Sequence, residues 1–388
     1  MKTLVNIYDP FDPLAAYLFL KQYYEEGDRL LFVSTRDARR AAEVYVNMMH
    51  VPQDRVSFIS FRRSEDSYVY EQICRRLRSQ LSKDEVYWVN LAGGSRYSAL
   101  AVQKVFAVFG AKFFYVQTRE NLIVSSVFDS SFDDNDDVIE PIRHRMTMSE
   151  YLQLHGLTHD LKGTRHTPLR SWDEARRIFD CFRTRRLPDK AFDAIEQLRL
   201  QYRGGKKPMS INTMMSGIPH REKPIPGLAE LLRQFGFVPQ QEGVLSPNEI
   251  DFLTGGWFEE YVYHLLKRMI EPDEMAISVR ISQPGAQHNN ELDVVFIKAN
   301  KLFVVECKTG IATDHMFNEI VYKACALKEA FLGMACHSYI FTLKNDYDGR
   351  LRQVSDMMDI TLCAKDTMVS SGKMTEVVQH ILALTHSK

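Results

Sequence analysis

The chain has 388 residues, of which 49 are basic and 50 are acidic, and its formal net charge is −1. This length can hold two or three domains that each bury a core, and 45% hydrophobic with 26% charged residues is typical of an ordinary globular protein. Because the net charge is close to zero, nucleic acid would have to bind through a local basic patch rather than through the field of the whole protein.

No targeting segment, membrane span or metal-binding cysteine pattern stands out. The first residues, Met1–Asp9, lack an apolar segment long enough for a signal peptide, and no uncharged apolar run approaches the roughly 20 residues of a membrane span. The six cysteines are scattered without CxxC spacing, which argues against a zinc site and predicts reduced, mostly buried thiols. We therefore expect a cytoplasmic protein.

Strand and helix patterns alternate along the first 127 residues. Such alternation predicts a parallel, doubly wound, Rossmann-like sheet, and ligands bind sheets of this kind at the carboxyl ends of the strands. The predicted strands are Leu4–Ile7, Leu30–Val33, Val56–Phe61, Val86–Asn90 and Ala111–Gln117, with a further apolar run at Leu122–Phe128, and the predicted helices include Pro13–Tyr24, Asp37–Met49 and Ser95–Phe109.

The turn after the fourth predicted strand is the most informative of these strand ends. Gly93 and Gly94 allow a ligand to approach the backbone, the following helix N-terminus offers unpaired N–H groups to an anion, and Ser95 and Arg96 add side-chain donors. A tight strand–helix turn with Ser95 as N-cap explains the pattern equally well, and Asp12 is likewise first of all a helix N-cap. The candidate ligand-binding residues at the strand ends are Phe11, Asp12, Ser34, Thr35, Arg36, Asn90, Gly93, Gly94, Ser95 and Arg96.

Two stretches of biased charge follow the predicted sheet. Residues 129–140 carry six acids and no bases, without the spacing of a calcium loop, and indicate a solvated loop. Between Arg143 and Lys207 fifteen residues are basic and eight are acidic, and this segment looks mostly helical before a loop-like stretch at Gly204–Pro226. It is either a guide for nucleic acid or a solvated helical linker, and the sequence does not decide between the two.

The most specific pattern lies in Glu291–Lys308, where two runs of β-forming residues are joined by Ala299-Asn300 and predict an antiparallel hairpin. A two-residue loop sets Asp293 directly opposite Glu306. Because side chains alternate along a strand, Asp293, Glu306 and Lys308 should share one face. Most neighbouring positions on both strands are apolar, so these charges are expected in a largely buried setting, where they need a partner.

A divalent metal ion between the two carboxylates would remove their repulsion. Oxygen ligands suit Mg²⁺ or Mn²⁺, which can bind a scissile phosphate and lower the pKa of an attacking water. Lys308 would orient that water or stabilise the charge that develops on phosphorus. The predicted metal-binding residues are Asp293, Glu306 and Cys307, although the Cys307 side chain points to the opposite face. The alternative is a purely structural ion network at the end of a sheet.

The spacing Asp-x12-Glu-x-Lys inside apolar strands resembles the PD-(D/E)xK restriction-endonuclease-like fold. That family often carries a glutamate on the helix before its core strands, and the matching position is Glu259 in the helical pattern Gly255–Leu266, with Glu260 as competitor. Val321–Gly333 is predicted as the helix after the strands, where Lys323 would be an auxiliary phosphate contact or a solvated surface lysine. The predicted catalytic residues are Glu259, Asp293, Glu306, Lys308 and Lys323.

Roughly residues 1–128 and 250–365 resemble the CARF–nuclease effectors of type III CRISPR immunity, whose CARF domain senses cyclic oligoadenylates, and the middle of the chain carries no diagnostic motif. In that family the glycine turn that corresponds to Asn90–Arg96 usually has a sequence close to Asn-x-Thr-Gly-Gly-Thr-Lys. Here Ala92, Ser95 and Arg96 replace Thr, Thr and Lys. The last two changes keep a hydroxyl and a cation, whereas Ala92 loses a hydroxyl. The residues that carry the resemblance are Asn90–Arg96, Gly256–Glu259, Asp293, Glu306–Lys308 and Tyr322-Lys323.

The resemblance implies an α/β protein in three parts: a doubly wound CARF domain (residues 1–142), a helical basic middle segment (143–245) and a restriction-endonuclease-like domain (246–388). It further implies a homodimer that binds cyclic tetra-adenylate at the CARF–CARF interface.

The implied activity is that of a manganese- or magnesium-dependent nuclease that the ligand switches on. Its substrate would be single-stranded or supercoiled duplex DNA, with RNA as a further candidate, and the basic segment Arg143–Lys207 is the element expected to move. The alternatives are an ungated DNA-repair or restriction nuclease and a non-catalytic nucleotide sensor.

Overall fold

The computed structural model describes residues 1–8, 13–35, 39–61, 70–126, 138–159, 164–202, 209–210, 225–237, 244–282, 290–310, 314–327, 336–347 and 349–385. The elements of the N-terminal part are β1 (Thr3–Ile7), α1 (Pro13–Tyr23), β2 (Arg29–Thr35), α2 (Arg39–Met49), β3 (Val56–Phe61), α3 (Tyr70–Arg78), β4 (Tyr87–Asn90), α4 (Arg96–Ala107), β5 (Lys112–Gln117), β6 (Leu122–Ser126), β7 (Val138–Pro141) and α5 (Met148–Leu154).

The remaining elements belong to a largely helical middle and a C-terminal α/β part. They are β8 (Thr158–His159), α6 (Trp172–Thr184), α7 (Asp189–Tyr202), β9 (Met209–Ser210), α8 (Leu228–Gln234), β10 (Val244–Leu245), α9 (Pro247–Asp251), α10 (Trp257–Ile270), β11 (Glu274–Ser282), β12 (Asn290–Lys298), β13 (Lys301–Lys308), α11 (Asp314–Leu327), β14 (Cys336–Thr342), α12 (Arg350–Met357), β15 (Ile360–Cys363), α13 (Lys365–Val369) and α14 (Ser371–Thr385). None of the helices in the described ranges is long and apolar enough to cross a membrane.

The N-terminal sheet has the strand order β3-β2-β1-β4-β5-β6-β7 in the described residues. Strands β1 to β5 are parallel, as predicted, whereas β6 and β7 are added antiparallel. Alternate side chains pack on opposite faces: Leu4 and Phe32 lie against α1 and α2, while Val5 and Val33 lie against α3 and α4. The predicted doubly wound sheet is confirmed, and the order reverses between β1 and β4, where ligands bind such folds.

The C-terminal sheet has the order β15-β14-β13-β12-β11-β8 in the part of the chain that the structure describes. Strands β11, β12 and β13 are antiparallel, and β13, β14 and β15 are parallel. In the β12–β13 hairpin, Lys298 pairs with Lys301, as a two-residue loop requires. Ala299 and Asn300 have φ angles of 49° and 62°, the left-handed values of a type I′ turn. The predicted hairpin is therefore confirmed in position and register.

Two helix predictions need correction. Helix α11 begins at Asp314 rather than at Val321, and the predicted end at Gly333 lies outside the described residues. The helix predicted from Gly255 starts in a π-helical turn, Phe252–Gly256, and continues as α10. The predicted acidic loop at residues 129–140 also falls mainly outside the described part of the chain.

The N-terminal and C-terminal sheets share one hydrophobic core. Side chains of α1 and α2 pack through α5 onto one face of β11, β12 and β13. The buried residues Tyr17, Tyr151 and Val295 belong to this single cluster. The other face of the C-terminal strands packs on α10, α14 and the helices of the middle part. Because interiors are close-packed, the two sheets of the chain are expected to move together rather than as independent bodies.

Two hairpin tips meet at the edge of this core. Asn300, at the tip of β12–β13, donates from Nδ2 to Asn121 Oδ1 (2.7 Å) and to the His144 carbonyl (3.0 Å). Its Oδ1 accepts the Met146 backbone N–H at 2.8 Å. The adjacent Lys301 donates from Nζ to the Arg119 carbonyl at 2.6 Å. Arg119 and Asn121 lie in the β5–β6 turn, so the hairpin that carries Asp293 and Glu306 is tied directly to the N-terminal sheet.

We predict that Asn300→Gly destabilises the protein by about 1–3 kcal/mol, because it leaves buried partners on Asn121, His144 and Met146 without hydrogen bonds. Glycine accepts the positive φ of this position without strain, so the change isolates the amide contacts. Urea unfolding measures the effect. A variant as stable as the wild type would show that the joint contributes nothing to the fold.

Candidate functional site

The predicted carboxylates lie where two strands diverge. The β12–β13 ladder ends at the pair Val294–Val305, one residue before Asp293 and Glu306. Past this point Asp293 Oδ2 accepts the backbone N–H of Cys307 at 2.7 Å, which takes the place of a further backbone pair. The two carboxylates are therefore held at an opening between β12 and β13, while Glu306 stays paired with Ile340 of β14.

Lys308 draws both carboxylates together. Its Nζ lies 2.7 Å from Glu306 Oε1 and 3.2 Å from Asp293 Oδ2. Burial disfavours the charged lysine, but the two carboxylates outweigh it and raise the pKa of Lys308 above its ordinary value. The side chains of Asp293 and Glu306 are only 15% and 12% exposed, so this ammonium group offsets negative charge that water screens poorly.

The structure distinguishes the two candidate glutamates of α10. Glu260 is fully buried and accepts from Arg165 Nη1 (3.1 Å) and from the backbone N–H groups of Leu169 (3.1 Å) and Arg170 (3.0 Å). Glu259 instead faces the cluster, and burial together with the nearby Asp293 carboxylate raises the pKa of Glu259 to about 8. The geometry thus places Glu259 beside the fork, while Glu260 joins α10 to the segment before α6.

The donor set suits a divalent metal ion. Burial and the Glu306 carboxylate raise the pKa of Asp293 to about 6, so a proton or a cation is favoured beside this carboxylate. Among the residues that the structure describes, no three His, Cys, Asp or Glu side chains already form a metal-binding group. Asp293 and Glu306 nevertheless present hard oxygen donors at one opening, the type of ligand that Mg²⁺ and Mn²⁺ prefer, with Glu259 as a third carboxylate nearby.

Cys307 and Lys323 are placed differently from the other predicted residues. The Cys307 side chain is buried in the core on the opposite face, and Cys307 reaches the site through its backbone N–H and its carbonyl, which lies 3.2 Å from Lys308 Nζ. Lys323 is exposed on α11, and no hydrogen bond or ion pair within the described ranges joins it to the cluster. Its predicted phosphate contact stays a prediction.

The glycine turn after β4 packs tightly against the end of β1. Gly94 has a φ of +65°, and a Cβ atom there would lie 2.3 Å from Ile7 Cγ2, so both backbone conformation and space require glycine. Ser95 caps α4, because its Oγ accepts the Ser98 backbone N–H at 3.2 Å. The N-cap explanation is therefore correct for Ser95, and Arg96 beside it is exposed.

A buried pair of asparagines connects β1 and β4 at the point where the strand order reverses. Asn90 donates from Nδ2 to Asn6 Oδ1 at 3.0 Å, and Asn90 Oδ1 accepts the Ala92 backbone N–H at 3.0 Å. Asn6 Nδ2 and Ser34 Oγ are buried donors without hydrogen-bond partners among the described residues. Buried donors are rarely left unpaired, which is consistent with a ligand or water at these strand ends.

Asn6 was missed by the sequence reasoning, although an amide inside the apolar run Leu4–Ile7 was a usable signal. Of the other predicted ligand contacts, Phe11, Asp12 and Arg36 lie outside the described residues. Thr35 ends β2, but its side chain is also outside the described part.

Both functional regions match known protein families. Residues 14–151 match the Card1 CARF domain, and residues 247–381 match the Card1-like endonuclease domain. The chain is a CARF-domain nuclease. No curated protein matches its sequence.

Three solved structures share the architecture of this CARF nuclease. Protein VC1899 from Vibrio cholerae is 15% identical, with a TM-score of 0.74 over 100% of this chain and 99% of that one. Can2 from Sulfobacillus thermosulfidooxidans, solved with cyclic tetra-adenylate, is 19% identical, with a TM-score of 0.71 over 97% and 99%. A type III CRISPR defence DNA nuclease activated by cyclic oligoadenylate is 15% identical, with a TM-score of 0.52 over 88% of this chain and 45% of that one. At these identities the similarity establishes the fold alone.

The basic middle segment of the CARF nuclease is partly neutralised by its own acids. Arg176 and Arg183 both lie near Asp180, and Arg185 pairs with Asp189. Surface pairs of this kind are weak and exchange readily with solvent or phosphate. A role in guiding nucleic acid therefore remains a prediction.

We predict opposite responses to Glu259→Gln and Glu260→Gln. The pKa of Glu259 is higher in the folded protein than in the unfolded chain. Ionised Glu259 therefore destabilises the fold, beginning at pH values above the unfolded pKa and reaching its full effect above the folded pKa. In metal-free buffer, Glu259→Gln should therefore be more stable than the wild type at pH 8, with a difference that shrinks towards pH 5.

Glu260→Gln should instead lower the free energy of unfolding by on the order of 1–3 kcal/mol. The substitution replaces one carboxylate oxygen by an NH2 group, which is a donor and faces buried N–H groups. Thermal unfolding with a chelator, scanned from pH 5 to pH 8, measures both. A Glu259→Gln difference that does not change with pH would contradict the assignment.

Proposed function

We propose that this CARF nuclease hydrolyses DNA with Mn²⁺ or Mg²⁺ and that cyclic tetra-adenylate, bound between the CARF domains of a homodimer, switches it on. The observation that carries the nuclease part is the contact of Lys308 with both Asp293 and Glu306 at the fork of β12 and β13. This contact supports the proposal because it gathers the charges of the Asp-x12-Glu-x-Lys pattern at one opening of the sheet. RNA remains a second candidate substrate.

The chemistry follows from these side chains. When bound, the metal ion would polarise the scissile phosphate and lower the pKa of an attacking water. Asp293 and Glu306 would hold it, with Glu259 as the third carboxylate. Lys308 would then exchange part of its ion pairing with the carboxylates for contact with the phosphate or the attacking water, where its positive charge stabilises the negative charge of the transition state.

The sensor part is supported by the strand ends of the CARF domain. A ring with four phosphates matches a two-fold interface, because each Gly93–Arg96 turn would be presented twice. The exposed Arg96, the α4 N-terminus and the unpaired buried donors on Asn6 and Ser34 supply polar groups for it. The structurally similar Can2 was solved with cyclic tetra-adenylate, which favours this ring over other sizes.

The joint between the two hairpin tips offers a route for gating. Asn300 and Lys301 connect the strands of Asp293 and Glu306 to the β5–β6 turn of the CARF domain. The shared core makes each protomer behave as one body, so a ligand between two CARF domains would act by setting the relative placement of two protomers. This route does not require the basic segment Arg143–Lys207 to be the moving element.

Glu306→Ala and Asp293→Ala should abolish cutting, because each removes a proposed metal ligand, and Lys308→Ala should lower the rate on the order of 100–1000-fold. Gel analysis of plasmid, single-stranded DNA and RNA, with Mn²⁺ and cyclic tetra-adenylate, measures the effect. Glu376→Ala, at an exposed position on α14, is the matched control. Wild-type cutting by a folded Glu306→Ala variant would refute the assignment of the active site.

Calorimetry should show one cyclic tetra-adenylate per dimer. Arg96→Glu should weaken binding on the order of 100-fold, since the charge reversal acts in both copies and about 1.4 kcal/mol corresponds to tenfold. Lys83→Glu, an exposed residue before β4 at the opposite end of the strand, makes the same charge change and should bind normally. One ring per protomer, or equal affinities for the two variants, would argue against the two-fold site.

A further inference from the structure

Ser278 of β11 and Asp293 of β12 lie opposite each other at a position where the side-chain alternation of both strands is interrupted. The register pairs Ile277 with Val294 and Val279 with Leu292, which sets Ser278 across from Asp293. Ile277 and Val294 belong to the core with α10, whereas Val279 and Leu292 belong to the core shared with the CARF domain. In a regular strand, residues two apart point to the same face, so both strands change face at this pair.

The backbone of Ser278 has a φ of 54°, a left-handed conformation inside a strand. Glycine would adopt this conformation without strain, and a serine there is uncommon. Its hydroxyl has a specific use: Oγ accepts from Arg165 Nη2 at 3.2 Å and donates to Glu259 Oε2 at 3.4 Å. The strained residue is thus the bridge between Glu259 and an arginine from the middle part of the chain.

Arg165 is itself held in place from two sides. Its Nη1 donates to Glu260 Oε1 at 3.1 Å, and the Glu260 carboxylate is fixed by backbone N–H groups. Its backbone forms an isolated bridge to Ile277, with N–H to carbonyl distances of 3.0 and 2.8 Å. The guanidinium group therefore has little freedom to leave Ser278.

On the basis of the proposed function, we propose that Ser278 and Arg165 are positioning residues for the metal site. They hold the Glu259 carboxyl group beside Asp293, against the repulsion that arises when both groups are ionised. Glu260 anchors this chain of contacts from the other side of α10. A carboxylate on a flexible side chain would otherwise turn towards solvent, and the metal would have to reorder it on binding.

The test compares Ser278→Gly with wild type in the full-length protein, and Ser282→Ala, at the far end of the same strand, is the control. Glycine removes the hydroxyl but suits the positive φ, so metal-free thermal stability should be equal to or above that of the wild type. The Mn²⁺-induced rise in melting temperature should shrink. The Mn²⁺ concentration for half-maximal DNA cleavage should increase about 10-fold, with a smaller effect on the rate at saturating Mn²⁺.

Arg165→Lys provides the second variant. It keeps the positive charge but loses the planar fork that binds Glu260 and Ser278 together, so it should shift the Mn²⁺ dependence in the same direction. An unchanged Mn²⁺-induced melting shift in both variants would overturn the positioning role and leave the proposed nuclease intact. A wild-type protein whose melting temperature does not respond to Mn²⁺ would overturn the metal site and this role together.

Discussion

The contact between Asn300 and the CARF domain ties the two large sheets of the chain to each other. A short hairpin carries Asp293 and Glu306, and its tip is fixed by the amide of Asn121 and by backbone groups near α5. The hydrophobic core behind this joint is continuous from α1 to β13. Within the described residues, packed side chains and buried hydrogen bonds therefore connect the CARF domain to the strands that carry Asp293 and Glu306.

The candidate active site gathers carboxylates at a break in the sheet. Three carboxylates approach one another, and among the described residues Lys308 and the partly exposed Arg165 lie near them with positive charge. Burial, and after it the neighbouring carboxylates, raise the pKa of Glu259 and that of Asp293 in the metal-free protein. A divalent cation would relieve the repulsion between these carboxylates, so the same electrostatics that destabilises the metal-free site favours metal binding.

The sequence pattern predicted those features of the fold that are determined by residues close together in the chain. The alternation of strands and helices was enough for the doubly wound sheet, and the two-residue loop fixed the register that brings Asp293 near Glu306. The rotation of α10 was not predictable, because Glu259 and Glu260 are adjacent and only packing decides which faces the fork. Arg165 and Ser278 were missed because their partners are far away in sequence. Asn300 was assigned only to the hairpin loop, because its contacts with Asn121, His144 and Met146 are equally distant in sequence.

The most direct test of the account is single-turnover plasmid cleavage with Mn²⁺ across a titration of cyclic tetra-adenylate. The rate should be close to zero without ligand and rise to a plateau at saturation. A switch from about 1% to 99% active requires the ligand to favour the active arrangement by roughly 5.5 kcal/mol, which phosphate contacts repeated by symmetry can supply. Equal rates at zero and saturating ligand would contradict gating and leave an ungated nuclease.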